Sequence, residues 1–258
     1  MKANQSNVSE TNNLGQPIGQ VVPAWSPAEF PKQPPMDGHF CRLEPLDAGT
    51  HARGLFAAYA RDEKGKNWTY LPYGPFSTFE EYSQWLNSTT SDVDPQFYAV
   101  ILKSTGEPVG VASFLRIDPG NGSIEVGHIH FSEILKHTPA ATEAMFLMMK
   151  TAFDLGYRRY EWKCDVLNAA SCSAALRLGL SFEGVFRQST VYKGRNRDTA
   201  WFAAVDSDWP ELETAFMRWL DSSNFDEGGK QAVSLRELTR PILNVSAFPI
   251  SADIGDGA

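Results

Sequence analysis

Cysteine is scarce in this chain of 258 residues, and its three positions, Cys41, Cys164 and Cys172, lack the spacing of a metal-ligand motif. An odd, sparse set of cysteines is typical of reduced thiols in an intracellular protein rather than of a disulfide framework. The sequence therefore predicts no bound metal, no disulfide-stapled fold and a cytoplasmic location.

Long apolar runs and an excess of positive charge are also missing. No apolar run approaches the roughly 20 residues that a membrane helix needs, and the N-terminal sequence MKANQSNVSETNN lacks the apolar segment of a signal peptide. The formal net charge is −8, whereas general nucleic-acid binding needs a broad cationic face. We therefore expect neither a membrane nor a nucleic acid as a partner.

The chain does have a regular order of strand and helix patterns. Residues 97–103, 109–117 and 123–131 read as three strands joined by turn sequences, which predicts antiparallel hairpins. A long helix follows from Thr138, and its crossover brings residues 160–167 back as a strand parallel to its predecessor. The expected fold class is α/β (α+β), with a mostly antiparallel mixed sheet and one parallel strand pair. We divide the chain into a flexible N-terminal arm (1–36), one domain (37–225) and a partly disordered C-terminal extension (226–258).

Polar residues gather where the two parallel strands run into their helices. Thr138 and Pro139 open the first helix, and such an opening presents free N–H groups and the positive end of the helix dipole, which suits a phosphate group. Asn168 and Ser171 open the second, shorter helix, for which both are also good capping residues.

The ordered motifs resemble the GNAT superfamily of acyl-CoA N-acyltransferases. ThrGluAla at 142–144, Asn168 and Ser171 three residues apart, and LeuGlyLeuSerPheGluGly at 178–184 match its RimJ/RimL-type branch in order and spacing. This branch acetylates protein N-termini and assorted small amines, and the resemblance spans about residues 37–225. It implies a parallel strand pair splayed around CoA and an enzyme that transfers an acetyl group from acetyl-CoA to a primary amine by direct attack in a ternary complex.

The resemblance also implies a set of cofactor-binding residues. Pro139 stands where the family's phosphate loop has glycine, which removes one N–H, and Lys136 stands where the loop has Gln or Arg. Asn168 should hydrogen-bond the pantetheine arm, and Ser171 should lie near the thioester sulfur, where its hydroxyl could donate to the departing thiolate. The expected phosphate-loop contacts are Lys136, His137, Thr138, Ala140, Ala141 and Thr142.

The general base is left open by the sequence. Relatives use a Glu and a Tyr where this chain has Lys163 and Ala175, or a Glu where it has Thr190. Glu125 is our first candidate and His128, on the same predicted strand, the second; a base elsewhere in the chain or deprotonation by bulk water stays open as well. Because Glu125 and His128 are three residues apart, a regular strand would place them on opposite faces.

Residues 67–76 form an unusually aromatic loop. The resemblance implies that this region covers the acceptor side, as it does in GNAT proteins. Trp68, Tyr70 and Tyr73 could contact the substrate or form a cation–π contact with an ammonium group, and they could equally pack against the protein's own sheet. The amine could be a small molecule or a protein N-terminus, and the protein a monomer or a homodimer. A non-catalytic acyl-CoA-binding regulator is the second function that we consider, suggested by the missing base and by Pro139.

Overall fold

The computed structural model describes residues 10–89 and 93–244. Within them lie ten strands, eight of which form one sheet in the order β3-β4-β5-β6-β7-β8-β10-β9, while β1 and β2 pair separately. The bounds are β1 Glu10–Thr11, β2 Pro17–Ile18, β3 Met36–Asp37, β4 Cys41–Pro45, β5 Gln96–Leu102, β6 Pro108–Asp118, β7 Ser123–Phe131, β8 Arg159–Asp165, β9 Ser181–Tyr192 and β10 Arg195–Val205.

All neighbouring strands of the large sheet are antiparallel except β7 and β8, which are parallel. The predicted fold class is therefore confirmed. The helices in the described residues are α1 Ala48–Tyr59, α2 Phe79–Thr89, α3 Pro139–Asp154, α4 Ala169–Arg177, α5 Trp209–Leu220 and α6 Leu235–Thr239. Local signals start several of them: Asp47 caps α1 by accepting from Thr50 N at 2.7 Å, and Thr78 and Glu81 form a capping box before α2.

The two faces of the sheet bury separate apolar cores. The larger core packs α3, α4 and α5 on one face, with Val126 and Trp162 among its strand residues. The smaller core packs α1 and α2 on the other face, around Leu55, Tyr82 and Phe97. Successive strand residues point to opposite faces, so the polar residues beside Val126 and Trp162 lie on the side of α1 and α2.

The strand β7 contains a bulge. Gly127 pairs with Ser113 of β6 and His130 pairs with Val111, so three steps along β7 match two along β6. The extra residue lies next to His128, whose φ of +49° is in the left-handed region.

This bulge overturns the expectation that Glu125 and His128 lie on opposite faces. Glu125 alternates with Val126, which is in the core under α3, and so faces α1 and α2. His128 packs against Phe97 of the smaller core, with ring centroids 5.0 Å apart, and so lies on the same side. The expectation was wrong because the inserted residue resets the alternation of the strand.

The parallel strands β7 and β8 separate at their carboxyl ends. Their pairing runs from Ser123–Arg159 to Val126–Trp162 and then stops, although β7 continues to residue 131 and β8 to residue 165. We call the gap between residues 127–131 and 163–165 the fork. Since α3 follows β7 and α4 follows β8, both helices begin at the open end of the fork.

Glu143 ties the start of α3 to the first strands of the sheet. Its buried carboxylate accepts three backbone N–H bonds, from His39 at 2.6 Å, Phe40 at 2.7 Å and Cys41 at 2.8 Å. A carboxylate that accepts three N–H groups satisfies donors that would otherwise be buried without partners. Glu143 therefore holds the helix that opens at the fork in a fixed position against β4.

Part of the predicted arm runs along the sheet. Ala28 N donates to Pro119 O at 3.1 Å, and Gln33 Nε2 donates to Phe97 O at 2.7 Å. The division of the chain into arm, domain and extension stays a prediction, and residues 1–9 and 245–258 lie outside the described part.

Candidate active site

The N-terminus of α3 presents unpaired donors at the open end of the fork. Thr138 is the N-cap, with its Oγ1 accepting from Ala141 N at 3.2 Å, and Pro139 is the first helical residue, both as predicted. Within the described residues, the backbone N–H groups of His137, Thr138 and Ala140 have no protein acceptor. Three free donors at the positive end of a 16-residue helix are an arrangement that suits an anion.

Two cations lie beside this helix start. Arg177 of α4 donates through Nη2 to Thr142 Oγ1 at 2.8 Å, and no carboxylate pairs with it in the described part of the chain. Burial lowers the pKa of its guanidinium from the usual value. Lys136 Nζ contacts Asn67 Oδ1 and lies 3.0 Å from Glu133 Oε1, so a ligand would compete with these partners for it.

The N-terminus of α4 brings together Asn168 and Ser171. Asn168 Oδ1 accepts from Ser171 N at 3.2 Å, and its Nδ2 has no protein partner among the described residues. Ser171 Oγ accepts a hydrogen bond from Trp162 Nε1 at 3.0 Å, so its own O–H proton can be donated elsewhere. Asn168 is thus the N-cap of α4, and Ser171 lies in the first turn with its hydroxyl beside Trp162 and Cys164.

Glu125 is held in a row of alternating charges on the side of the sheet that carries α1 and α2. Its Oε1 lies 2.7 Å from Arg116 Nη1, and its Oε2 lies 2.8 Å from Lys163 Nζ in an ion pair without the alignment of a hydrogen bond. Burial raises the pKa of the Glu125 carboxyl, and the two cations oppose this rise. The row continues from Lys163 to Glu161 at 2.8 Å and from Glu161 to Arg159 at 2.6 Å.

Lys163 is the first residue of β8 after its pairing with β7 ends. Besides Glu125 and Glu161, its ammonium group lies 3.7 Å from the ring centroid of Trp201 on β10. The lysine is therefore enclosed by two carboxylates and an aromatic face. From the sequence, Lys163 was noted only as standing where relatives have a catalytic Glu. Its contacts with Glu125 and Trp201 were not predicted, because they depend on the register between strands.

His128 lies at the bulge, half-buried, with Tyr73 beside it. Its Nδ1 is 3.1 Å from Tyr73 Oη, and within the described residues its Nε2 has no protein partner. Burial, together with the nearby Arg116, lowers the pKa of His128 to about 4, so the imidazole is neutral at pH 7. A neutral imidazole with one nitrogen held by a neighbour can accept a proton at the other.

The aromatic loop, residues 67–76, lies across the fork on the side of α1 and α2. Tyr70 Oη donates to Leu167 O at 3.0 Å, just before α4, and Lys193 of the β9–β10 hairpin donates to Trp68 O at 2.8 Å. The Trp68 ring itself is buried and packs in the smaller core against Tyr59, so for this residue packing against the protein's own sheet is the outcome. Tyr70 and Tyr73 are half-buried and are the members of the loop that lie nearest the fork residues.

Other groups of potential ligands are absent from the described ranges. In residues 10–89 and 93–244, no three His, Cys, Asp or Glu side chains are grouped so as to hold a metal ion. The same ranges contain no helix with the length and apolar character needed to cross a membrane. Cys41, Cys164 and Cys172 are free and buried.

A mixed sheet whose parallel pair separates between two helix N-termini is the arrangement that the resemblance to acyl-CoA-dependent transferases implies. Residues 41–181 match the family model described as "Acetyltransferase (GNAT) domain". This chain belongs to that family, and it is an acyltransferase. A GCN5-related N-acetyltransferase of known structure from Brucella melitensis is 45% identical to it, with a TM-score of 0.83 over 85% of this chain and 100% of the other.

More distant relatives agree with this assignment. The curated "Uncharacterized N-acetyltransferase p20" of Bacillus licheniformis is 25% identical over 152 residues, which cover 57% of this chain and 83% of the relative. The structure of RimL, a ribosomal L7/L12 alpha-N-protein acetyltransferase, is 20% identical with a TM-score of 0.58, over 67% of this chain and 94% of the other. The latter likeness, at 20% identity, shows the fold alone.

Proposed function

We propose that this protein transfers an acetyl group from acetyl-CoA to a primary amine, by direct attack of the amine in a ternary complex. The observation that carries the proposal is the fork, with an anion site at one helix start and Asn168 and Ser171 at the other. Acetyl-CoA would supply the activated acyl thioester. Its pyrophosphate fits the free N–H groups of His137, Thr138 and Ala140, with Ala141 and Thr142 in the same turn.

Several side chains would then hold the rest of the cosubstrate. Arg177 and Lys136 bring positive charge to the phosphates, and the loss of one donor at Pro139 is offset by the neighbouring N–H groups. Asn168 Nδ2 has no protein partner in the described residues and can donate to an amide carbonyl of the pantetheine arm. Ser171 would donate its free proton to the departing thiolate.

His128 is our candidate for the group that accepts the proton of the attacking amine. With Nδ1–H donating to the Tyr73 oxygen, Nε2 keeps its lone pair and has no competing protein partner in the described residues. Glu125, the first candidate from the sequence, is engaged by Arg116 and Lys163 at 2.7 and 2.8 Å. A carboxylate in two ion pairs is a weaker base toward the amine than a neutral imidazole at the same face.

The acceptor would enter on the side of α1 and α2, under the aromatic loop. Tyr70 and Tyr73 offer rings that could pack on an alkyl or aryl amine, while the amine class itself, small molecule or protein N-terminus, stays open. A homodimer and a monomer are both compatible with this site.

Release of CoA from acetyl-CoA with a mixed library of amines and N-terminal peptides tests the proposal. We expect amine-dependent release and an increase in melting temperature on adding acetyl-CoA, because a ligand that binds only the native state stabilises it. Ala141→Asp should abolish that increase by placing a carboxylate against the pyrophosphate, whereas Ala141→Ser should keep it.

Two results would contradict the proposal in different ways. No stabilisation by millimolar acetyl-CoA would remove the cofactor assignment altogether. Stabilisation without release of CoA with any amine would instead support a non-catalytic acyl-CoA-binding regulator.

A further inference from the structure

Lys163 places a primary amine at the vertex of the fork. It is the first β8 residue beyond the last parallel pair, Val126–Trp162, and its side chain lies on the acceptor face with Glu125 and Glu161. The side chain is only 10% exposed, so its position is fixed by its neighbours rather than by solvent. The protein thus carries, at the vertex of the fork, a primary amine. This is the functional group that we propose it acetylates in other molecules.

The surroundings of Lys163 are those of a bound amine substrate. Carboxylate oxygens lie 2.8 Å from Nζ on two sides, and the Trp201 ring lies beneath it at 3.7 Å. Carboxylates and an aromatic face together bind ammonium groups. Glu125 is a weaker base than His128, but its Oε2 is the carboxylate oxygen in contact with Nζ, and burial raises the pKa of its carboxyl against the opposing effect of the two cations.

We propose that Lys163 is a self-acetylation site, modified by acetyl-CoA bound in the fork of the same molecule. This inference rests on the proposed function, and it adds an internal acceptor to it. Lys163 Nζ loses one proton to Glu125 Oε2 and attacks the thioester carbonyl carbon. The new N–C bond forms as the C–S bond breaks, and the second proton of the nitrogen leaves with the CoA thiolate. The products are an acetamide on Lys163, CoA as a thiol and a proton on Glu125, which is lost to solvent.

Acetylation of Lys163 changes the electrostatics of the site. The product is uncharged, so Glu125 and Glu161 lose the cation between them, while Arg116 still lies 2.7 Å from Glu125. A buried carboxylate that loses a cationic partner becomes harder to ionise and more basic. Self-acetylation therefore leaves Glu125 with one cationic partner, Arg116, in place of two, and makes it a stronger proton acceptor.

Site-resolved mass spectrometry of the full chain, incubated with isotopically labelled acetyl-CoA and no added amine, tests this inference. Lys150 is the internal reference, because it is more exposed, at 40%, and lies on the far end of α3 with Asp154. We expect Lys163 to gain one labelled acetyl group about tenfold faster than Lys150, since a bound and oriented thioester reacts faster than one in solution. The rate per molecule should not change on dilution of the protein.

Two variants sharpen the measurement. Glu125→Gln should slow the labelling of Lys163 and leave that of Lys150 unchanged. Lys163→Arg keeps the positive charge but removes the primary amine. In this variant, labelling should be lost at position 163 and unchanged at the other lysines. Denaturation of the protein should abolish the preference for Lys163.

The outcomes separate this inference from the proposed function. Labelling of Lys163 no faster than Lys150, in protein that acetyl-CoA stabilises and that releases CoA with added amines, overturns self-acetylation and leaves the proposed function standing. Absence of both stabilisation and amine-dependent release overturns the two together.

Discussion

Tyr73 Oη lies 3.1 Å from His128 Nδ1, and the two rings are nearly parallel, with an interplanar angle of 14°. The pair joins the aromatic loop to the bulge of β7 at the point where β7 leaves β8. A hydrogen bond at Nδ1 fixes the orientation of the imidazole, and with it the direction of the Nε2 lone pair. The candidate base is thereby positioned by a residue of the loop under which we propose that the acceptor enters.

Removal of the imidazole should lower turnover. His128→Asn keeps a residue type that tolerates a positive φ, so the bulge should survive, and we expect kcat to fall about 100-fold because general base catalysis is lost. Tyr73→Phe should give a smaller fall, of about tenfold, since it removes only the orienting hydroxyl. Steady-state kinetics with the best amine of the library measure both, and Tyr82→Phe, in the same core, is the control. Unchanged kcat in His128→Asn would return Glu125 to first place.

Loss of the Ser171 hydroxyl should affect the leaving group rather than binding. Its oxygen accepts from Trp162 Nε1 at 3.0 Å, and its proton is the one we assign to the thiolate. Ser171→Ala should lower kcat by about one to two orders of magnitude with little change in the KM for acetyl-CoA. Ser173→Ala, on the same helix, should leave both constants unchanged. A change in KM alone would make Ser171 a binding or capping residue.

Glu143 should be among the residues whose loss is most costly to stability. Three buried backbone N–H groups within 2.6–2.8 Å of its carboxylate would lose their acceptor in Glu143→Ala. We expect the free energy of unfolding to fall by about 2–3 kcal/mol, as for other buried hydrogen bonds to charged groups. Urea unfolding measures the difference against Glu80→Gln on the exposed face of α2. Equal stability of the two variants would contradict the role given to Glu143.

His130 should make the protein less stable in mild acid. Burial lowers its pKa from 6.5 to about 3, because the ring is stacked on Tyr59 and excluded from water. Between those two values the unfolded chain binds a proton that the folded protein does not, so the free energy of unfolding decreases as the pH falls. The expected slope from this group is about 1.4 kcal/mol per pH unit within that window.

The histidine slope can be isolated by substitution. His130→Phe keeps the aromatic packing and should reduce the slope of unfolding free energy with pH between pH 6 and pH 5, leaving the contribution of His128, whose pKa is also lowered. His39→Gln, at an exposed position, should leave the slope unchanged. An identical pH dependence in wild type and His130→Phe would show that His130 is not buried as the neutral form.

Local sequence signals predicted most of the elements of this fold. Turn sequences gave the hairpins of β5, β6 and β7 to within a residue or two, and Thr138 and Asn168 started α3 and α4 as expected. The bulge was missed although Gly127, a glycine inside a strand, lies directly before it; the positive φ is taken by His128 and not by the glycine. For Trp68, the sequence did not distinguish substrate contact from packing against the sheet. An aromatic residue in a loop is compatible with either role, and only the tertiary structure decides between them.

The charge row could not be predicted for a related reason. Glu125, Lys163 and Trp201 lie on β7, β8 and β10, and their contacts depend on the registers Glu125↔Glu161 and Trp201↔Lys163. Register is set by long-range packing rather than by local residue preference. The candidate site was therefore predictable where it lies at helix starts, and not where it is assembled across strands.

The extra residue of β7 makes the length of this strand, and not only its composition, a determinant of chemistry. A deletion of Ile129 would restore regular pairing with β6: Gly127 would still lie opposite Ser113 and His130 opposite Val111. His128 would then lie opposite Ala112 and turn toward the core under α3, although no histidine, tyrosine or glutamate had been changed. In the evolution of such enzymes, the loss of one codon at this place would therefore move the candidate base to the other side of the sheet.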